Sequence, residues 1–188
     1  LLARFSPGIF RHELVAGVDY FTESNDRLAY TTNRPTGAAS AKDIFNPPHS
    51  SVGQTFTPGT SRTGESENLG FFLSDRVWLT QQFSVMGSVR WDQFKAETSN
   101  AGVHTETDSS MVSPKVSLIW EPSTAQTYYA SWGRAYSPQG YYITGETVPA
   151  ASADMDPEET ETYELGAKWN FFGGRLGLSG AVFQVNKD

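Results

Sequence analysis

The 188-residue sequence contains no cysteine and carries more acid than base, with a formal net charge of −7. The absence of cysteine excludes disulfide frameworks and metal sites built from thiolates. Domains that bind nucleic acid normally carry a basic excess, so the negative charge argues against nucleic acid as a partner. The chain is long enough for one ordinary domain.

Motifs for catalysis and metal binding are also missing. The sequence has no G-x-S-x-G elbow, no P-loop and no dinucleotide-binding glycine motif. His12, His49 and His104 lie far apart and form no metal-ligand spacing. The acidic residues between Asp154 and Glu164 lack the glycine and the spacing of an EF-hand calcium loop. We therefore expect no enzymatic activity, no bound metal ion and no covalent cofactor.

Long hydrophobic runs are the third absence. The mean hydropathy is −0.43, and no apolar run approaches the roughly 18 residues that a membrane helix needs. This test does not detect transmembrane strands, because every second residue of such a strand faces a polar interior.

What the sequence does contain is alternation of apolar and polar residues. In residues 163–171, the apolar side chains Tyr163, Leu165, Ala167 and Trp169 alternate with polar or small ones. Successive side chains of a strand point to opposite faces, so this segment has one apolar and one charged face. The segment at 176–187 is strand-like with less distinct faces, and five further segments repeat the clear pattern: residues 14–20, 69–73, 83–91, 112–120 and 128–132.

The lengths of these strands and of their connections indicate a membrane protein. The strands run for roughly 10–15 residues, whereas globular strands average about 5–6 and membrane-crossing strands need about 9–11. Short turns are expected at 80–82, 121–125 and 172–175, and long polar connections at 23–64, 98–110 and 137–157. This sorting is typical of membrane barrels. The sequence predicts an all-β, antiparallel up-and-down meander of about seven long strands that forms part of a transmembrane β-barrel.

A tryptophan precedes each short turn, at Trp78, Trp120 and Trp169. An indole ring prefers the membrane interface, with its ring in the apolar layer and its N–H near water. We expect these three residues to form a membrane-interface belt. Core aromatics of a soluble β-sandwich are the alternative interpretation.

Several motifs resemble those of a known family when they are taken in order. The clearest are a strand with a near-terminal aspartate, Asp75, and the run Tyr-Glu-Leu-Gly-Ala-Lys-Trp at residues 163–169. The motifs occupy residues 68–79, 87–92, 113–122, 128–139, 156–169 and 174–176. Their order and spacing resemble the barrel of TonB-dependent outer-membrane siderophore receptors, catecholate receptors among them. The resemblance runs from about Arg11 to Asp188.

The resemblance implies a specific function and specific partners. Such a receptor lies in the outer membrane of a Gram-negative bacterium, binds a ferric siderophore and is energised by TonB. The family's barrel has 22 strands and encloses a plug. The TonB-engaging box, the plug and the remaining strands are not found here, so residues 1–188 are treated as a partial barrel domain whose contact with TonB runs through the missing plug region.

The ligand of such a receptor is large, flat and often anionic, so aromatic faces and a guanidinium suit it. Five residues of this kind cluster where one strand meets its long loop: Arg134, Tyr136, Gln139, Tyr141 and Tyr142. They are the predicted ligand-binding residues, with an aromatic belt plus an ordinary loop as the alternative. Two other functions stay open, namely a small outer-membrane barrel without a transport role and a soluble β-sandwich that binds carbohydrate.

Overall fold

The computed structural model of the chain describes residues 1–32, 45, 55–138 and 156–188. These residues form one sheet of eight antiparallel strands, whose order in the sheet follows the chain. A 3₁₀ turn, Phe172–Gly174, joins the last two strands. The strands are β1 (Leu2–Phe5), β2 (Arg11–Thr32), β3 (Phe56–Trp78), β4 (Phe83–Asn100), β5 (Val103–Ser123), β6 (Gln126–Ser137), β7 (Glu158–Phe171) and β8 (Leu176–Lys187). No helix in the described ranges is long and apolar enough to cross a membrane.

The predicted up-and-down meander is confirmed, because each strand pairs with its neighbour in sequence. The seven long strands are present, and the four-residue strand β1 was not predicted. Within the described residues no second sheet packs against this one. The β-sandwich interpretation is therefore wrong.

The register between strands gathers the apolar residues on one face of the sheet. Leu165 lies opposite Ala130, which lies opposite Leu118, which in turn lies opposite Val85. Directly opposed residues of an antiparallel pair point to the same face. The apolar sets of the separate strands thus form one continuous surface, the apolar face. It is open to its surroundings, since Leu165 is 60% exposed.

Four strands are longer than a bilayer requires. β2 to β5 have 22, 23, 18 and 21 residues, against about 9–11 for one crossing. The structure corrects the expected long connection at 98–110, because β4 and β5 pair as far as Asn100 and Val103. The turn between them is Ala101–Gly102, and both residues have positive φ, 53° and 83°, as a two-residue hairpin turn requires.

The same correction applies to part of the stretch 23–64, where β2 continues to Thr32 and β3 begins at Phe56. Outside the bilayer neither face of a strand contacts lipid, so polar residues can occupy both faces. The alternation of apolar residues then disappears while the backbone pairing continues. The sequence pattern therefore does not predict these parts of the strands.

Pro114 ends one of the strand ladders. It lies opposite Val89 of β4, but the pairing of β5 with β6 begins only at the next residue, Lys115 opposite Gly133. The Pro114 carbonyl points toward Gly133, and in such a ladder the nitrogen and carbonyl of one residue point to the same neighbour. Proline has no N–H to donate, so the β5–β6 ladder stops at this position.

The opposite face of the sheet, the polar face, carries ion pairs whose side chains reach from one strand to another. The Arg90 guanidinium donates to Asp19 at 2.7 and 2.8 Å and to Asp92 at 2.6 and 2.8 Å. Asn68 donates to Asp92 at 3.0 Å. Gly70 lies beneath this cluster, and a Cβ at that position would collide with Arg90 and Asp19. The bridge across three strands depends on the missing side chain.

The first prediction concerns the two faces. Leu165→Arg places a charge on the apolar face and is expected to destabilise the full-length protein by up to about 2–4 kcal/mol. The matched control is Ser131→Arg, whose position lies opposite Glu164 on the polar face and which is expected to change stability by less than about 0.5 kcal/mol. Guanidinium unfolding of the two variants in lipid vesicles measures the difference, and a larger loss in the control would mean that the faces are reversed.

The second prediction concerns Gly70. Gly70→Ala is expected to displace Arg90 from Asp19 and to cost up to about 1 kcal/mol, the range of part-exposed ion pairs. Gly180→Ala is the control, because a Cβ there meets nothing within 4 Å. The same unfolding measurement compares them, and equal stability of the two variants would contradict the role given to Gly70.

Candidate ligand site and membrane-facing surface

A row of aromatic rings crosses the apolar face near the short turns. Phe83 stacks on Trp120 with ring centroids 5.8 Å apart, and Trp120 lies 5.2 Å from Tyr128. Tyr128 meets Trp169 edge-on at 6.0 Å, and the Trp169 indole N–H donates to the Tyr128 hydroxyl at 3.2 Å. Two of the three predicted belt residues, Trp120 and Trp169, are therefore brought together through Tyr128.

Trp78 does not share this face, which corrects its expected position. It lies opposite Ser84 and Arg11 and on the same side of β3 as Arg76. Arg11 and Arg76 place their guanidinium carbons 3.8 and 4.5 Å from the centre of the Trp78 ring. Cations favour the flat side of an indole ring, and both arginines extend from the polar face of the sheet. Trp78 lies an odd number of residues after Phe71, which is on the apolar face, so strand alternation alone places Trp78 on the polar face.

A second row of aromatics lies further toward the long loops on the apolar face. Each of its residues donates a hydrogen bond to a polar side chain on the neighbouring strand. The acceptor occupies the next position on the same face in the direction of the loops. The pairs are Tyr20 to Glu67 at 3.0 Å, Trp91 to Ser110 at 2.9 Å and Trp132 to Glu161 at 2.8 Å. The rings thus lie on the apolar face, and their polar atoms point toward the long loops.

Arg134, the predicted cationic ligand residue, is balanced by carboxylates. Its Nε lies 2.8 Å from Glu159 and its Nη2 lies 3.8 Å from Glu161, both on β7. Tyr136 donates its hydroxyl to Glu159 at 2.9 Å. These cross-strand contacts fasten the loop ends of β6 and β7 to each other. Sequence reasoning did not anticipate the two glutamates, although their alternation with Thr160 was visible.

Tyr136 also packs against a small buried cluster of Phe94, Ala96 and Met111, which are 6, 4 and 6% exposed. These three side chains belong to the polar-face positions of β4 and β5. Since Pro114 ends the β5–β6 ladder, the end of β6 is free to lie over that cluster. Arg134 and Tyr136 therefore stand at the base of the segment that carries Gln139, Tyr141 and Tyr142, and those three residues lie outside the described residues.

The polar face has a further close contact at Gly166. The Tyr129 ring lies over this glycine, and an added Cβ would collide with it. Tyr129 donates its hydroxyl to Glu164, and Lys168 lies 5.8 Å from its ring centre. In the described part of the chain no group of three or more His, Cys, Asp or Glu side chains is placed to hold a metal ion.

Comparison with known proteins gives the same fold and extends along the whole chain. The family described as "TonB dependent receptor-like, beta-barrel" matches residues 3–188. A probable TonB-dependent siderophore receptor of Acinetobacter baumannii, PiuA, is 26% identical over all of this chain and 28% of its own length. The ferrioxamine B receptor of Salmonella typhimurium is 24% identical over 96% of the chain and 24% of its own length.

Solved structures agree in fold. The crystal structure of PiuA superposes with a TM-score of 0.82 at 23% identity, covering 97% of this chain and 30% of that one. The closed form of the ferric-catecholate import receptor Fiu from E. coli K12 gives a TM-score of 0.83 at 18% identity, covering 99% and 30%. The chain thus spans less than a third of the length of these relatives.

Because the family match extends over nearly every residue, the apolar face is the lipid-facing surface of an outer-membrane barrel and the polar face is its interior. The relatives are receptors and transporters rather than enzymes. The chain belongs to the family of TonB-dependent receptors and forms part of its β-barrel.

Proposed function

We propose that the protein containing this chain is an outer-membrane receptor that binds a ferric siderophore and imports it with energy delivered by TonB. The observation that carries the proposal is the similarity along the whole chain to proteins named as siderophore receptors. The alternation of a lipid-facing and a charged interior face supports it, because a transporter needs a polar interior behind an apolar wall. A small barrel without transport is the remaining alternative.

The aromatic rows support an orientation in the membrane. Trp120 and Trp169 mark the interface on the side of the short turns, and Tyr20, Trp91 and Trp132 mark the opposite one. Short turns of such barrels are periplasmic and long loops extracellular. The ends of β2 to β5 then rise from the outer surface of the cell, where a ligand arrives.

The ligand site is proposed at the base and in the loop that follows β6. Arg134 and Tyr136 hold this base through Glu159, so their contribution is to position the loop. Direct contacts are assigned to Gln139, Tyr141 and Tyr142, whose amide and aromatic groups suit stacking on a flat ligand. A catecholate complex is the favoured ligand class, because the solved relatives of the same fold include a ferric-catecholate import receptor.

A deletion strain tests the transport proposal. On iron-limited medium supplied with one ferric siderophore at a time, loss of growth is expected for one chemical class, with the catecholates first in line. The full-length gene restores growth. Unimpaired growth on catecholate, hydroxamate and carboxylate siderophores, together with no binding of any of them to the purified protein, would instead favour the barrel without transport.

The fourth prediction concerns the base of the loop. Tyr136→Ala removes the packing on Phe94 and Met111 and is expected to weaken binding of the ferric siderophore about tenfold, or about 1.4 kcal/mol. Tyr136→Phe keeps the ring and should lose less. The control is Tyr20→Ala, which also removes a tyrosine bonded to a glutamate but lies on the lipid-facing surface. Quenching of intrinsic fluorescence measures affinity, and equal affinities of the alanine variants would contradict the assignment.

A further inference from the structure

The loop-side part of β5 has a sheet neighbour on one side only. β5 pairs with β4 as far as Val103, but its pairing with β6 begins at Lys115. Residues 103–110, the open edge, lie on the loop side of the second aromatic row, whose Trp91 donates to Ser110. Both sheet neighbours of β5 belong to this chain, so the remaining strands of the barrel do not extend the sheet here.

The backbone groups of the open edge point away from β4. The Glu121 N–H donates to the Gln82 carbonyl at 2.7 Å, and the register of β5 with β4 is unbroken. Odd-numbered residues of β5 therefore direct their N–H and C=O groups toward β4, and even-numbered residues direct theirs to the other side. Four exposed residues do so along the open edge: His104, Glu106, Asp108 and Ser110.

These four residues present a row of backbone donors and acceptors. Within the described part of the chain, none of their N–H and C=O groups has a backbone partner. A row of unpaired strand groups is a template for one more strand. An extended peptide binds such an edge through its own main chain.

The side chains beside the open edge are acidic. Glu65, Glu97 and Glu106 lie directly opposite one another on β3, β4 and β5. Like charges placed directly opposite each other destabilise a sheet. Among the described residues, no cation lies within ion-pair distance of any of these three glutamates. The row of glutamates ends at the open edge, where a lysine or arginine on an added strand relieves the repulsion.

This charge decides between the possible occupants. A second copy of the chain, paired edge to edge, would bring a second set of the same carboxylates and be repelled. We propose that the open edge of β5 binds an extended segment of another protein that carries lysine or arginine at alternate positions. The main chain of the segment pairs with β5, and its cations select it over neutral or acidic segments. The inference concerns a protein partner and goes beyond siderophore uptake.

A synthetic peptide tests the proposal on the full-length protein in detergent. The probe alternates lysine and threonine and is as long as the open edge, and fluorescence anisotropy of the labelled peptide measures its affinity. The lysine peptide is expected to bind, and a peptide with glutamate in place of lysine is not. N-methylation of one alternate set of peptide amides is expected to abolish binding, whereas methylation of the other set leaves it intact, because only one set faces β5.

Two outcomes of the peptide experiment overturn the proposal. One is that the lysine peptide does not bind. The other is that the two methylated peptides bind equally well, which would mean that the attraction is electrostatic and does not use the strand edge. The peptide is measured without siderophore, so this result does not depend on the proposed transport.

A matched pair of variants locates the binding site. Glu106→Gln is expected to weaken peptide binding about fivefold, as the loss of one part-exposed ion pair does. Asp26→Asn removes the same charge from an exposed position on β2 and is expected to leave the affinity unchanged. An equal loss in both variants would contradict the assignment to the open edge.

Hydrogen exchange at single-residue resolution completes the test. The amides of Glu106 and Asp108 are expected to exchange rapidly in the free protein and slowly in the peptide complex. Protection of these amides already in the free protein would show that another part of the same molecule covers the edge, and the proposal would then be wrong.

Discussion

The pairing of every strand with its sequence neighbour is the constraint on which the rest of this structure depends. Inside a bilayer no water is present to satisfy the backbone, so each N–H and C=O must find its partner on an adjacent strand. An uninterrupted meander meets this demand with the shortest connections. It also fixes the register, and a register in which Leu165, Ala130, Leu118 and Val85 fall on one line makes the apolar face continuous. A shift of one residue in any strand would turn its charged side chains toward lipid.

The interior face solves a different problem, because charged side chains must fit between strands about 4.8 Å apart. Arg90 reaches Asp19 by passing over Gly70, and Tyr129 reaches Glu164 by lying over Gly166. In each case a long side chain occupies the space that a neighbouring Cβ would have filled. Gly70 and Gly166 therefore leave room for the cross-strand bridges, and these bridges tie neighbouring strands together across the polar face.

The parts of the fold that face lipid were predictable from the sequence, whereas the parts above the membrane were not. Within the bilayer each side chain faces either lipid or the aqueous interior. Apolar and polar residues therefore alternate along the strand, as at residues 163–171. Between Thr98 and Ser110 the residues on both faces are mostly polar, so the same strand geometry leaves no such trace and the segment resembles a loop. The two-residue turn at Ala101–Gly102 was hidden for the same reason, since its Ala-Gly sequence is weaker than the usual Asn-Gly signal.

At the candidate site, the cross-strand partners of each residue were not visible in the sequence. The tryptophan that precedes each turn was visible, but its face follows from the parity of the strand, and Trp78 falls on the charged side. Likewise the position of Arg134 near a loop suggested a cation that binds the ligand, yet the strand opposite carries Glu159 and Glu161, which pair with it. Arg11 shows the reverse, because only the pairing of β2 with β3 places its guanidinium on the indole ring of Trp78. In a barrel the chemical meaning of a side chain is decided by its cross-strand neighbours, so function has to be read across the sheet as well as along the chain.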